Sequence, residues 1–195
     1  MKGPHPFRKL QQRILEEVKS AARDDLIALS AGAAGHHADV SIQANPEAAG
    51  EQGAALGAYE RAAAALEAAS RVQDMGAVSR VIAEGQYHLA CADALAAGQP
   101  RPGWRPSCFF DPRHGMSVRD IGWSPDGGIT ARSVPACSAC AHKAEQGVQP
   151  DIREVETDGA LVSYVDAGFA PAYWAGYGFD LVSLNRQVSA RYSKY

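Results

Sequence analysis

The sequence predicts an α+β protein in which an alanine-rich helical segment precedes a small β module. Through most of residues 1–98, apolar side chains recur at spacings of three and four, which is the pattern of amphipathic helices. After a proline-rich stretch, the pattern changes to short β-branched and aromatic runs separated by turn sequences such as Asp-Gly. We therefore expect three helices, two of them forming an antiparallel hairpin, followed by two β-hairpins and one short helix.

The same changes in composition divide the 195-residue chain into four parts. The helical segment occupies residues 1–98, and a proline-rich joint follows at 99–106. The joint contains three prolines, which exclude helix and favour extended backbone. The small β module spans residues 107–167 and is a candidate for a zinc clip. Residues 168–195 form a tail rich in glycine and aromatic residues that ends in a weakly amphipathic helix.

The first helix is expected over residues 6–30. Its apolar positions share one face at helical spacing: Phe7, Leu10, Ile14, Val18, Ala22 and Leu26. The glycine-containing run at 31–35 predicts its end, because glycine is common just past helix C-termini. His36, His37 and Asp39 then fall in a connecting loop. For adjacent histidines without other ligands nearby, an exposed loop is a better interpretation than a metal site.

Two further helices are predicted before the joint. Pro46 at a first-turn position, with Glu47 beside it, indicates a helix from Pro46 to about Ser70. Asp74 as N-cap and Gly98 just past the last turn bound the next helix. The similar lengths of these two helices favour an antiparallel hairpin.

The β module begins with a predicted hairpin and a short helix. Strands at 118–123 and 129–134 flank a Ser-Pro-Asp-Gly-Gly sequence, which suits a hairpin connection. Residues 137–146 are then expected to form a short helix that ends at Gly147.

A second hairpin is the clearest local signal in the chain. Strands at 152–157 and 160–165 are separated only by Asp158 and Gly159. Asp-Gly is a preferred pair for a two-residue type I′ turn, because both positions require a positive φ.

Charge and composition exclude several classes of partner. The chain has 22 acidic and 19 basic residues, and its net charge of −3 gives no general attraction to nucleic acid. No stretch approaches the roughly 18 apolar residues of a membrane span, and no signal peptide is visible. Four cysteines without such a signal indicate a cytoplasmic protein. In that reducing setting, clustered cysteines are more often metal ligands or free thiols than disulfides.

The candidate site is a set of cysteine and histidine residues in the β module. Structural zinc sites usually gather four nitrogen and sulfur ligands as two close pairs, here Cys108 with His114 and Cys137 with Cys140. The Cys-x-x-Cys spacing is the specific part, since two thiolates at a helix N-terminus also face the positive end of its dipole. His142 competes with His114 as fourth ligand.

The order of these parts resembles that of the treble-clef zinc finger. A ligand pair on a loop closed by Gly115 precedes a β-hairpin, and a second ligand pair opens a helix, so that the resemblance covers 107–147. It implies a structural zinc bound by the four candidate ligands. The usual pattern has two cysteines two residues apart in the first pair, whereas this chain has Cys108 and His114.

A second resemblance is to actinobacterial proteins of unknown function with a helical hairpin and a Cys-Phe-Phe-Asp-Pro-Arg-His-Gly stretch. The shared features stand here at four places: 108–115, 123–125, 134–137 and 168–179. The resemblance runs over about 55–180 and brings no assigned activity.

These observations favour a non-enzymatic interaction or scaffold protein with a structural, zinc-ribbon-like module. The helical segment is expected to bind a protein partner or a second copy of the chain. A thiol-dependent redox switch or enzyme using Cys137 and Cys140 is one alternative, and a metal-free β module with packing cysteines and histidines is another. An enzyme is less favoured, because no phosphate loop, nucleophile elbow or metal-hydrolase helix is visible.

Overall fold

The computed structural model describes residues 6–124, 132–157 and 159–174. The helices are α1 Pro6–Ala38, α2 Val40–Gln43, α3 Pro46–Ala68, α4 Met75–Ala96, α5 Ser138–Glu145 and α6 Ala170–Trp174. The strands are β1 Arg119–Trp123, β2 Arg132–Ala136, β3 Glu154–Thr157 and β4 Ala160–Ser163. The helix-rich first part and the two small antiparallel sheets confirm the α+β class.

Helix α1 is longer than the sequence predicts. It continues through the glycine-containing run and ends at Ala38 instead of residue 30, so His36 and His37 lie in its last turn and not in a loop. Gly32 has a packing role: a Cβ there would lie 2.8 Å from Leu89 Cδ1 on α4. A glycine stop needs a positive φ just past the helix, but Gly32 is inside the helix and faces a neighbouring one. Asp39 caps α2 by accepting a hydrogen bond from the Ser41 N–H.

Helices α3 and α4 form the expected antiparallel hairpin. At one end of the pair, Asn45 donates from its side chain to the Leu95 carbonyl at 3.0 Å. Further along, Arg61 on α3 and Glu84 on α4 form a 2.6 Å ion pair. The Asn45 side chain also caps α3 by accepting hydrogen bonds from the first backbone N–H groups, and Pro46 follows in the first turn.

The ends of α4 differ in how well local signals predict them. The Asp74 side chain does not cap α4; it accepts from the backbone N–H groups of Ser70 and Arg71 and closes the short 3-10 turn Val72–Asp74. The C-terminal end follows the expectation. Gly98 has φ 69°, and the N–H of Gln99 donates to the Ala94 carbonyl, as in a Schellman motif.

Both β-hairpins form with the expected antiparallel pairing. In the first, β1 pairs with β2 so that Ile121 lies opposite Val134 and Trp123 opposite Arg132. The second strand therefore lies further along the chain than the predicted 129–134 and ends at Ala136. Residues 125–131, which include most of the predicted turn, lie outside the described residues. In the second, Thr157 lies opposite Ala160, which leaves a two-residue connection. Gly159 in this connection has φ 74°, as a primed turn requires.

The helical segment and the β module share one cluster of buried side chains. Its members from α1, α3 and α4 include Val18, Leu26, Leu66, Val78 and Ile82, and its members from the β module include Phe109, Phe110, Trp123, Val134 and Tyr164. Residues 99–106 lie in neither helix nor strand, as their three prolines predict. Arg101 in this stretch pairs with Glu47 and Glu51 on α3.

The first part of the glycine and aromatic tail belongs to the core. Phe169, Tyr173 and Trp174 are buried in the shared cluster, and α6 carries the last two. Residues 175–195, including the expected terminal helix, lie outside the described residues. Among the described residues, the helices include no candidate for a membrane span.

Candidate metal centre

The structure brings the four predicted ligands together. One ligand atom from each side chain lies within 4.8 Å of the others in what we call the metal cluster: Cys108, His114, Cys137 and Cys140. Three of these side chains are buried, whereas His114 is exposed. The cluster therefore lies at the edge of the core, with the thiols inside and the imidazole toward the surface.

The loop that carries Cys108 and His114 is held in a closed turn. Asp111 accepts a hydrogen bond from the Arg113 N–H at 2.9 Å and so caps the 3-10 turn Pro112–His114. Gly115 follows with φ 81°, a backbone region that glycine adopts readily. Its carbonyl then accepts from the Cys108 N–H at 2.9 Å, which closes the loop.

The second pair of ligands opens helix α5. Cys137 is its N-cap, and the Cys137 sulfur accepts a hydrogen bond from the Cys140 N–H at 3.5 Å. The first loop is joined to the strand before this helix, because the Phe109 N–H donates to the Pro135 carbonyl at 2.8 Å. Two elements far apart in sequence thus present their ligands to the same point.

The distances from His114 to two of the sulfurs suit one tetrahedral ion. His114 Nδ1 lies 3.7 Å from the Cys137 sulfur and 3.5 Å from the Cys140 sulfur. Ligands of one zinc lie about 3–4 Å apart, given zinc bonds of about 2.0–2.3 Å. The donor set of three sulfurs and one imidazole nitrogen is one that structural zinc sites use.

Burial makes two thiols of the metal cluster, Cys108 and Cys140, poor acids. It raises the pKa of Cys108, while backbone N–H groups of Cys137, Asp111 and Phe110 oppose this effect. It also raises the pKa of Cys140, and the neighbouring Cys108 adds to the rise. A bound cation would reverse this balance, because a coordinating thiol is deprotonated and its proton is released to solvent.

Three residues outside the cluster hold the backbone of the first loop. The Tyr164 hydroxyl donates to the Phe109 carbonyl at 2.6 Å, and the Arg153 N–H donates to the Phe110 carbonyl at 2.7 Å. The Gln86 side chain on α4 donates to the Pro112 carbonyl at 2.6 Å. Sequence patterns alone do not predict that these residues contact the loop. Only Gln86 has a visible signal, as a polar residue four positions after Ile82 on the apolar stripe of α4.

The competing histidine lies elsewhere. His142 is exposed on α5, where its ring contacts Gln146 and Glu145. It is not in the metal cluster, so the structure selects His114 as the fourth candidate ligand. His36 contacts Asp93, and His88 pairs with Glu51.

Comparisons with known proteins add no family to this description. No family model, curated protein or solved structure matches the chain. Function is therefore inferred from the geometry of the site.

Proposed function

We propose that the chain is a non-enzymatic interaction or scaffold protein whose β module is held together by a structural zinc ion. The observation that carries the proposal is the convergence of four ligand atoms within 4.8 Å in the metal cluster. A zinc bound there links the loop after the proline-rich joint to the first turn of α5. It would supply the folding free energy that structural zinc sites provide.

The ligand set favours a structural role over a catalytic one. Catalytic zinc keeps one coordination position for water or substrate, whereas four protein ligands close the tetrahedron. The order of parts supports the same interpretation. A ligand-bearing loop closed by Gly115, a β-hairpin and a helix opened by Cys137 follow in sequence, as in the treble-clef finger that the sequence resembles.

Elemental analysis of the purified protein tests whether zinc is bound. We expect about one zinc per chain, lost in Cys137→Ser and retained in His142→Ala, because His142 lies outside the metal cluster. A wild-type protein without zinc, or a Cys137→Ser variant that keeps a full complement, contradicts the proposal.

The redox alternative has weaker support. Reactive cysteines are exposed and have a lowered pKa, whereas Cys137 and Cys140 are buried and burial raises the pKa of Cys140. Alkylation rates at neutral pH distinguish the two ideas. Slow labelling of the metal-free protein at both sulfurs removes the redox switch, and rapid labelling restores it.

The partner side of the proposal assigns the helical segment to a protein partner or a second copy. Its support is apolar surface on α1, α2 and α3, where Ile27, Val40 and Leu56 are exposed. Light scattering of the wild type and of Ile27→Glu tests self-association. A larger particle that Ile27→Glu breaks supports a second copy, and identical monomers exclude it. We also propose a cytoplasmic location, which is supported by four cysteines that form no disulfide. No binding to nucleic acid is expected.

A further inference from the structure

A buried glutamine on α4 holds both sides of the loop that carries Cys108 and His114. The side-chain carbonyl of Gln86 accepts from the Ser107 hydroxyl at 2.6 Å, and its amide nitrogen donates to the Pro112 carbonyl at 2.6 Å. Ser107 directly precedes Cys108, and Pro112 opens the 3-10 turn that ends at His114. One side chain of the helical segment therefore contacts the residue before Cys108 and the backbone two residues before His114.

The geometry points to Gln86 as a positioning residue that couples metal affinity in the β module to the docking of α4. This inference deepens the proposed function and rests on it. The two hydrogen bonds of Gln86 go to Ser107 and Pro112 and not to a ligand atom of the metal cluster. It acts through the backbone of the loop, whose conformation determines whether the Cys108 sulfur and the His114 ring reach the same point.

The contacts explain why this residue affects affinity. Gln86 is 6% exposed, so both its hydrogen bonds are shielded from water. Breaking them in this buried position leaves polar groups unpaired. With Gln86 in place, the loop is ordered before the metal arrives. Without Gln86, part of the free energy of metal binding must offset the cost of ordering the loop, and the affinity for zinc falls.

Linkage requires the effect to run in both directions. If the docked helix raises the affinity of the cluster for zinc, then zinc must strengthen the docking of the helix by the same factor. The central part of α4, although it carries no ligand, is thus expected to exchange its amide hydrogens more slowly when zinc is bound.

The chain offers a matched control. Gln52 on α3 is also 6% exposed, and its amide nitrogen donates to the Ala33 carbonyl of α1 at 3.3 Å. Gln52→Met therefore removes a buried helix-to-helix hydrogen bond of the same chemical type without touching the metal loop. It separates loss of affinity from general loss of stability.

The test measures zinc affinity by competition with a chromophoric chelator in the wild type, Gln86→Met and Gln52→Met. We expect Gln86→Met to bind zinc about 10-fold more weakly, the lower end of what outer positions around metal sites cost. Gln52→Met should keep the wild-type affinity. Hydrogen exchange should show that zinc increases the protection of the α4 amides in the wild type. This increase should be smaller in Gln86→Met.

The outcomes separate this inference from the proposed function. Equal affinity of Gln86→Met and the wild type overturns the coupling and leaves the zinc site intact. Equal losses in both glutamine variants also overturn it, because the effect is then one of stability alone. A wild type that binds no zinc overturns both. If Gln86→Met does not fold, Ser107→Ala decides the matter by removing only the serine hydroxyl that Gln86 accepts from, with the same direction expected.

Discussion

At the scale of single residues, a buried ion pair connects Asp25 on α1 to Arg153, the residue before β3. The Arg153 guanidinium donates to Asp25 at 2.5 Å and to the Ala21 carbonyl at 2.9 Å. The Tyr173 hydroxyl donates to the other Asp25 oxygen at 2.7 Å. Three elements thus meet at one carboxylate, which satisfies groups that would otherwise be costly to bury.

Removing the carboxylate should strongly destabilise the fold. We expect Asp25→Asn to lower the free energy of unfolding by about 3–5 kcal/mol, because it leaves the buried Arg153 without its buried counter-ion. Denaturant unfolding near pH 8 measures this. Burial raises the pKa of Asp25 to about 6, so the wild-type carboxyl is ionised at that pH.

The neighbouring residue provides the control for this prediction. Asp24 also lies 3.5 Å from Arg153, but its side chain is 59% exposed. Asp24→Asn should change stability by only about 0.5 kcal/mol or less, as exposed pairs do. Similar losses in the two variants would contradict the distinction between the buried and the exposed carboxylate.

At the scale of elements, close approach of α4 to α1 and α3 depends on glycine. A Cβ at Gly85 would lie 2.7 Å from Leu29 Cδ2 and 3.2 Å from the Ala58 Cβ. Leu29 is almost completely buried, so it has little room to move. The glycine therefore allows three helices to pack at a distance that no larger residue permits.

Two glycine-to-alanine substitutions should change the stability of the protein in opposite directions. Gly85→Ala should destabilise the protein, because overpacking costs about 1–3 kcal/mol and outweighs the gain in helix propensity. Gly53→Ala, on α3 with nothing within 4 Å of its Cβ position, should stabilise it by about 0.5–1 kcal/mol. Thermal unfolding of both variants measures this, and a stabilised Gly85→Ala would refute the close-packing argument.

The sequence predicts elements well where the cause is local and poorly where it is tertiary. The Asp-Gly hairpin and the glycine at the end of α4 follow from backbone preferences of a few residues, and both are confirmed. Gly32 predicts a helix end on the same local grounds, and this is wrong because Leu89 packs against it. The same limit applies to the site. The spacing of Cys137 and Cys140 predicts the second candidate ligand pair, but nothing local predicts that Gln86 on α4 contacts the loop of the first.

At the scale of the whole molecule, the shared core links the metal cluster to the helices. The cysteines of the cluster belong to the same set of buried side chains as Val18 of α1 and Ile82 of α4. If zinc stabilises the β module, the effect should therefore reach the helical segment. Cooperative single units unfold with coincident transitions in different probes, which makes this testable.

Chelation should lower the stability of the entire chain in one step. Removing a ligand present at about 100 times its dissociation constant costs about 2.7 kcal/mol, which lowers Tm by about 5–10 °C in a protein of this size. Helix unfolding is followed by far-ultraviolet circular dichroism, and core unfolding by the fluorescence of the buried Trp123 and Trp174. We expect both probes to give the same midpoint before and after chelation, and Cys137→Ser to be insensitive to the chelator. A chelator that lowers the fluorescence midpoint while the helices keep theirs would mean that the helical segment and the β module unfold as separate units in spite of their common core.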